Sequence, residues 1–224
     1  MSFKAMLEKC IRKILHAIRS YTKDEDVGYW EKRVKKYGKR SVLNIGHSED
    51  QFNVVTEKQK SFLLPLLEEH LAGHERVALD YGCGPGRFTA DLSELINGAS
   101  IGLDPIMGLL TLCAPQQNTY YVRSPVGTIP IKTGSIDVLW ICLVMGGILD
   151  EGILKKTIDE FDRVLKTNGL VFLVENTVAK SSAAHWQFLD VNEYISIFGF
   201  TDLVHVSSYE DLGESISVMV GRKK

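Results

Sequence analysis

The first chemistry in this 224-residue chain lies in one acid and three glycines. The short apolar run Val77-Ala-Leu-Asp80 leads through Tyr81 into Gly82-Cys-Gly-Pro-Gly-Arg-Phe-Thr89, which puts glycines at 82, 84 and 86. Glycine has no Cβ, so its backbone can pass close to a ligand and turn through positive φ. A helix opening just after such a loop aims free N–H groups and its positive dipole end at whatever lies above it. The pattern predicts a strand, a tight loop and a helix that together grip a small ligand carrying a carboxylate or a phosphate.

Two ligand classes fit a loop of this kind. The dinucleotide fingerprint is G-x-G-x-x-G, whose third glycine lets helix and strand pack closely. Here the glycines fall as G-x-G-x-G, and Arg87 stands where that third glycine would be. A second strand-like run, Ala99-Ser-Ile-Gly-Leu-Asp104, ends in an acid 18 residues after Gly86. A carboxylate there can accept hydrogen bonds from both ribose hydroxyls of an adenosine-type ligand, so Asp104 suits either class. Asp80 discriminates. An acid just ahead of the glycines suits a ligand with an ammonium group near the loop, which NAD lacks and S-adenosylmethionine has.

Leu79-Asp-Tyr-Gly-Cys-Gly-Pro-Gly-Arg-Phe-Thr89 resembles the first motif of the class I S-adenosylmethionine-dependent methyltransferases. Gly169-Leu-Val-Phe-Leu-Val-Glu175 is similar to that family's fifth strand, and Pro130 to Asp137 to its approach to the fourth. The resemblance covers residues 60–221, most of the chain. It implies an α/β protein: a doubly wound, mostly parallel seven-stranded sheet of Rossmann-like type, here with an N-terminal helical extension. It also implies S-adenosylmethionine as cofactor. By resemblance, Asp80 and the backbone of Gly82, Cys83, Gly84 and Gly86 hold the methionine part. Asp104 binds the ribose, and Pro105, Ile106 and Met107 flank the adenine. The family usually places an acid after the third strand for the adenine amino group. This chain has Arg123-Ser124-Pro125-Val126 there, so Ser124 or a backbone carbonyl takes that place, beside Val126. Ile141, Cys142 and Leu143 line the wall next to the sulfonium.

Methyl transfer from a sulfonium asks the protein mainly for alignment and exclusion of water. A hydroxyl acceptor also needs a general base, and histidine is suited to that near neutral pH. Of six histidines, His16, His70 and His74 fall on helices or their ends outside the expected cleft, and His205 in a late strand. His185 and His47 remain as catalytic candidates. His185 and Trp186 follow the fifth strand, and open α/β sheets bind ligands at carboxyl-terminal strand ends. The competing reading of His185 is a surface-loop residue, and Glu175 is either a base or a cap on its strand.

The acceptor is narrowed by what the chain lacks. Ile141-Cys-Leu-Val-Met-Gly-Gly147 is neither the [N/D]-P-P-[Y/F] of amino-methylating nucleic-acid enzymes nor a Pro-Cys nucleophile pair. Asp150-Glu151 alone is poor support for a metal-dependent catechol enzyme, and no metal is expected. A small-molecule acceptor, such as a sugar, a quinone precursor or another lipid-like metabolite, methylated on oxygen or nitrogen, is what remains. A catalytically silent S-adenosylmethionine-binding module is the reading from a different class, and a dehydrogenase the third.

The elements that must position these residues alternate strand and helix, which implies a parallel-rich sheet covered on both faces. Strands are expected at 76–81, 99–104, 118–122, 136–142 and 169–175, with helices at 86–96, 105–114 and 151–166 between them. The tail reads as a helix at 190–198 and a strand pair at 201–207 and 214–221. The division expected is residues 1–60 as a helical extension or lid and 61–224 as the cofactor-binding domain.

Residues 1–20 put Phe3, Met6, Leu7, Cys10, Ile11, Ile14, Leu15 and Ile18 on one helical face, with lysines and arginines on the other. Residues 1–40 hold twelve Lys/Arg against five Asp/Glu, a balance of +7, which leaves −9 for the rest of a chain whose formal net charge is −2. Such a helix docks on the sheet domain, on a second copy in a homodimer, or peripherally on an anionic membrane. Nucleic acid is not expected as a partner, because aromatics rarely interleave with the basic residues. In residues 28–47 the W-x-x-R-x-x-x-Y spacing places Trp30, Arg33, Val34 and Tyr37 on one side of a helix. There Trp30 and Arg33 are expected at the cofactor, Arg33 pairing with the methionyl carboxylate, or else as a packed aromatic pair beside a solvated arginine. Ser41 to His47 reads as a loop by the same cleft.

Composition sets wide bounds only. Apolar residues make up 45% and charged residues 24%, ordinary for a globular protein. No apolar run approaches the roughly 18 residues of a membrane span. No secretory leader is read, and the four scattered cysteines (Cys10, Cys83, Cys113, Cys142) suggest neither disulfides nor zinc. The cytoplasm is the expected compartment.

Overall fold

The computed structural model describes residues 25–224. The amphipathic basic helix read at residues 1–20, with its membrane or subunit contact, lies outside the described residues. Helix α1 (Glu25–Tyr37) is followed by a 3-10 turn (Gly38–Val42) and, after a short loop, by α2 (Phe52–Glu68). The sheet domain then runs β1 (Val77–Tyr81), α3 (Thr89–Leu95), β2 (Ala99–Asp104), α4 (Met107–Leu110), β3 (Thr119–Arg123) and β4 (Ile136–Cys142). It ends with α5 (Glu151–Val164), β5 (Leu165–Asn176), α6 (Val191–Ile197), β6 (Val204–Asp211) and β7 (Glu214–Arg222).

The seven strands lie side by side in the order β3-β2-β1-β4-β5-β7-β6. The first five are parallel, and β7 runs antiparallel between β5 and β6. This is the doubly wound, mostly parallel sheet expected from the alternating pattern. The strand order reverses between β1 and β4, the switch point where open α/β sheets take their ligands. Register places Asp80 between Gly102 and Trp140 at that point.

Side chains alternate across a strand, and β4 shows how this builds two cores. Leu139 and Ile141 enter a cluster with Phe161, Val164 and Tyr194 from α5 and α6. Val138 and Trp140 enter the other, with Leu92 of α3 and Leu63 and Leu67 of α2. Trp140 stacks on Phe172 at 4.8 Å, tying the two central strands. Helix α2, which no sequence motif marked, therefore closes one face of the sheet, and it runs straight through residue 61. A third, smaller cluster joins Val27 and Val34 of α1 to Ile106 and Leu109 around α4.

Several boundaries differ from expectation for physical reasons. The helix expected at 86–96 starts only at Thr89, because Gly82, Gly84 and Gly86 all take positive φ and keep the loop out of helical geometry. The helix expected at 105–114 is one turn, Met107–Leu110; Pro115 disfavours helix at the residue before it. Helix α5 stops at Val164, and β5 starts at once, with Asn168 at φ 62 and a register shift against β4 absorbing the irregular start. The strand expected at 201–207 sits at Val204–Asp211, with a bulge between His205 and Ser207. No helix among the described residues is long and apolar enough to cross a membrane.

Candidate active site

A cleft with 960 Å³ of empty space, open mouth included, lies over the carboxyl ends of β1, β2 and β4. Its floor is the glycine loop. Gly82 N–H and Cys83 N–H both donate to the Leu103 carbonyl, at 2.7 and 3.2 Å, which curls the loop back onto β2. Gly82 adopts φ 72, and a Cβ there would stand 2.5 Å from Val144 Cγ2. Gly86 adopts φ 75, and a Cβ there would meet the Tyr121 hydroxyl at 2.6 Å. Backbone angle and space both demand glycine at these two places.

Two buried carboxylates flank the loop. Asp104 is 4% exposed and accepts Gly84 N–H at 2.9 Å and Ile106 N–H at 2.7 Å. Burial pushes its carboxyl up to about 6 against the pull of those two amides. Asp80 is 2% exposed and accepts the Thr89 hydroxyl at 2.6 Å. Burial pushes it to about 7; the Thr89 hydrogen bond opposes the shift and the charge of Asp104 adds to it. Both acids therefore hold latent negative charge that a bound cation would stabilise.

Arg87 lines the same cleft and is buried. One terminal nitrogen donates to Gln59 Oε1, and Gln59 in turn donates to the Tyr209 hydroxyl at 3.0 Å. Its guanidinium also lies over the Phe88 ring, 4.8 Å from the centroid, and the Nε has no hydrogen-bond partner.

The far wall is the turn after β4. Leu143 takes φ 58 and donates its N–H to Val174 O at 2.8 Å. Glu175, fully buried at the end of β5, accepts the Val144 and Met145 amides at 2.7 Å each. Burial raises its carboxyl to about 7, opposed by those amides. Of the two readings offered for Glu175, the contacts match the cap: it orders the turn and does not line the cleft. Gly146 packs under the Trp186 indole, where a Cβ would come within 2.4 Å of Cε2, and Gln187 N–H donates to Gly146 O at 2.8 Å. The 183–188 segment is thus anchored on the β4 turn.

Helix α1 roofs the cleft with Val27 and Trp30, joined by Val42 from the 3-10 turn. Arg33 donates through Nε to Ser41 O at 2.7 Å, and through its terminal nitrogens to Leu43 O at 2.8 Å and the Tyr29 hydroxyl at 2.9 Å. Its guanidinium also lies 5.2 Å from the Trp30 ring centroid. Arg33 therefore folds the 41–43 segment against α1 and sits in a second cleft, not over the glycine loop.

That second cleft adjoins the first. His185, Trp186, Phe188, Asn176, Asp211 and Glu214 are among its walls. His185 stacks on Tyr29 with ring centroids 3.9 Å apart, and burial, then the Arg33 charge, lowers its pKa. His47 lines neither cleft. It is 7% exposed, its Nε2 lies 2.6 Å from Asp211 Oδ1, and its Nδ1 has no partner.

The fold thus brings Trp30, Asp80, Gly82, Cys83, Gly84, Asp104, Pro105, Ile106, Val126, Cys142 and Leu143 to one cleft. Gly86, Ser124 and Ile141 lie behind it: Ile141 is in the core, and the Ser124 hydroxyl donates to Thr128 O at 2.7 Å. Arg87 is the residue that sequence reasoning passed over as a mere departure from a dinucleotide pattern. Its signal was an arginine between a glycine loop and an apolar helix start, where a solvated side chain has no room.

The donor set suits S-adenosylmethionine. Asp80 and Asp104 offer carboxylates for an ammonium and a ribose, the glycine loop leaves space for backbone approach, and the orphaned Arg87 Nε calls for an anion. Residues 79–173 match the family model described as a methyltransferase domain. No curated protein matches the chain. Among solved structures, it is similar to geranyl diphosphate C-methyltransferase of Streptomyces coelicolor A3(2), crystallised with S-adenosyl-L-homocysteine: 15% identity, 89% of this chain and 96% of that one, TM-score 0.63. It is also similar to a Thermotoga maritima S-adenosylmethionine-dependent methyltransferase titled "possible histamine N-methyltransferase", at 15% identity over 87% and 98% of the two chains, TM-score 0.62. The YcgJ protein of Bacillus subtilis aligns at 14% identity over 73% and 99%, TM-score 0.62. At such identities the likeness speaks for the fold.

Proposed function

The chain carries an S-adenosylmethionine-dependent methyltransferase domain of class I, and on that premise we propose that it methylates an oxygen or nitrogen of a small-molecule acceptor. The observation that carries this reading is the wall shared by the two clefts. Trp30, Val42, Leu143 and Trp186 line both, so the cleft over the glycine loop adjoins a chamber with aromatic and polar walls. A flat or greasy metabolite, such as a quinone precursor or lipid-like compound, suits the aromatic part of that lining, and a sugar its polar part.

Bound S-adenosylmethionine supplies an electrophilic methyl on a sulfonium leaving group. The chain's own work is then to align the acceptor, exclude water and take a proton. Asp80 and the glycine loop hold the amino-acid end, Asp104 the ribose, and Pro105 and Ile106 the adenine side. Trp30 and Val27 of α1 cover the cleft, so this helix serves as its lid, while α2 belongs to the sheet domain that it packs against. His185, neutral near pH about 7 because burial and Arg33 lower its pKa, is the base for a hydroxyl acceptor. Cys83, Cys113 and Cys142 are free thiols, which accords with a cytoplasmic enzyme.

The test is transfer of a tritiated methyl from S-adenosylmethionine into a fractionated cell extract. Label in low-molecular-weight O- or N-methyl products is expected. Label confined to protein or nucleic acid would sink this reading.

A further inference from the structure

Two thiols meet at the glycine loop. Cys83 belongs to the loop itself, and Cys113 follows the end of α4. Cys83 Sγ donates to Gly84 O at 3.7 Å, and Cys113 Sγ donates to the same oxygen at 3.5 Å, with a longer contact to Leu109 O at 3.9 Å. Two donors on one carbonyl set the sulfurs side by side, and both are free thiols.

Their surroundings differ. Cys83 is buried and lines the cleft, whereas Cys113 is half-buried and lies outside its walls. A hydrogen bond between the thiols raises Cys83, with burial and the charges of Asp80 and Asp104 adding to it. The same bond lowers Cys113, against burial and those two carboxylates and with help from Lys39. Cys113, nearer water, therefore ionises first while Cys83 keeps its proton and donates it. An accessible thiol of lowered pKa beside a second thiol is the arrangement of an oxidation-sensitive pair. Cys142 does not share it, since burial pushes that thiol to about 12.

The pair spans a joint of the cleft. Asp104 is held from the loop by Gly84 N–H at 2.9 Å and from the start of α4 by Ile106 N–H at 2.7 Å. A bond from Cys83 to Cys113 ties these same two segments and draws both sulfurs off Gly84 O. Cys83 has little room to adapt, because a Cβ on Gly102 would stand 2.9 Å from its Sγ. The adjustment falls on the loop.

We propose that Cys83 and Cys113 form a peroxide-sensitive dithiol whose oxidation to a disulfide displaces the glycine loop and weakens binding of the methyl donor. The Cys113 thiolate attacks hydrogen peroxide, and an S–O bond forms as the O–O bond breaks. The hydroxide released takes up the proton that Cys113 had lost and leaves as water. The Cys83 sulfur then attacks the Cys113 sulfenic acid: an S–S bond forms, the S–O bond breaks, and the departing hydroxide leaves with the Cys83 proton as a second water. The thiols lose two electrons, the peroxide gains them, and a dithiol reductant reverses the change. The loss of binding rests on the S-adenosylmethionine reading above; formation of the bond does not.

The test treats reduced full-length protein with hydrogen peroxide, then maps its peptides without reductant and titrates S-adenosylhomocysteine by calorimetry. A linked Cys83–Cys113 peptide is expected, with an affinity weaker by about tenfold or more, and dithiothreitol should restore both. Cys113→Ser should bind within about twofold of the reduced parent and keep that affinity after peroxide. Cys113→Ala serves the same comparison if the serine variant does not fold. Peroxide treatment that leaves the two cysteines unlinked overturns the proposal. So does a linked peptide with unchanged affinity, or an equal loss of binding in the Cys113 variants. A reduced parent that binds no S-adenosylhomocysteine sinks the cofactor reading and the effect on binding with it, while the peptide map still decides whether the thiols pair.

Discussion

Glu175 accepts the backbone N–H of Met145 at 2.7 Å from the end of the neighbouring strand, and the same oxygen takes the Val144 N–H at 2.7 Å. Val144 in turn fills the space over Gly82. One fully buried carboxylate thus sets the turn that walls the cleft, although it does not touch the cleft itself. Glu175→Ala would leave two buried amides without an acceptor, at a cost of about 2–4 kcal/mol. Glu175→Gln keeps an acceptor oxygen and should cost less, about 1 kcal/mol. Urea midpoints of the three proteins check this, and an alanine variant as stable as the parent would remove the bracing role.

The contact between Gly146 and Trp186 predicts a separation of binding from turnover. Gly146 does not require positive φ, so Gly146→Ala acts through its Cβ against the indole alone. The expected result is a displaced Trp186 and a kcat/KM for acceptor lowered about tenfold or more, by misplacement of the substrate wall. S-adenosylhomocysteine affinity should change less than threefold, about 0.6 kcal/mol or under. If cofactor affinity falls as far as turnover, the indole belongs to the donor side instead.

His185 predicts a shape for the pH profile. Burial and then the Arg33 charge lower its pKa, so it is deprotonated below the ordinary histidine range. The acidic limb of kcat should therefore lie under about pH 6.5, and His185→Asn should remove that limb with a loss of about 10²- to 10⁴-fold. An unaltered limb in the variant would clear His185 of the base role. His47, sealed against Asp211 and away from both clefts, should when replaced by Ala lower stability without abolishing turnover, as thermal melts beside initial rates would show.

Three raised carboxyls predict how stability follows pH. Asp80 and Glu175 stand at about 7 and Asp104 at about 6, so the folded state holds protons that the unfolded chain has already released. Their contribution is complete below the unfolded value and is lost as pH rises through about 6 to 7. Asp137, Glu75 and Glu160 are lowered and act in the opposite sense, but only at more acidic pH. His185 opposes within the same window, as a single half-buried group. The ligand-free melting temperature should fall between about pH 5 and about pH 8, and Asp80→Asn should flatten that fall. Cofactor binding near pH about 7 should release a proton as the bound ammonium draws Asp80 to its charged form, measurable by titration in buffers of differing ionisation enthalpy. Uptake of a proton would contradict that.

Much of the sheet domain was legible because its signals are local. The run into Asp80 and the glycines at 82, 84 and 86 state a buried strand and a loop that only glycine can make, and β4 was placed at 136–142 with both its ends correct. Asp104 could be found because an acid at the end of β2 is a matter of spacing along the chain. Helix α2 was not, since its buried Leu63 and Leu67 face a sheet assembled from strands that come later in sequence.

The sequence by itself determined the fold class, the glycine loop and the identity of the two cleft acids, because backbone conformation and strand endings are written in neighbouring residues. Only the tertiary structure decided what each polar group faces. It turned Arg33 toward Ser41 and Leu43, sealed His47 on Asp211 from a strand 164 residues away, made Glu175 a brace and left Arg87 buried without a counter-charge. Partners distant in the chain set burial, and burial sets both the charge a group carries and the ligand it can receive.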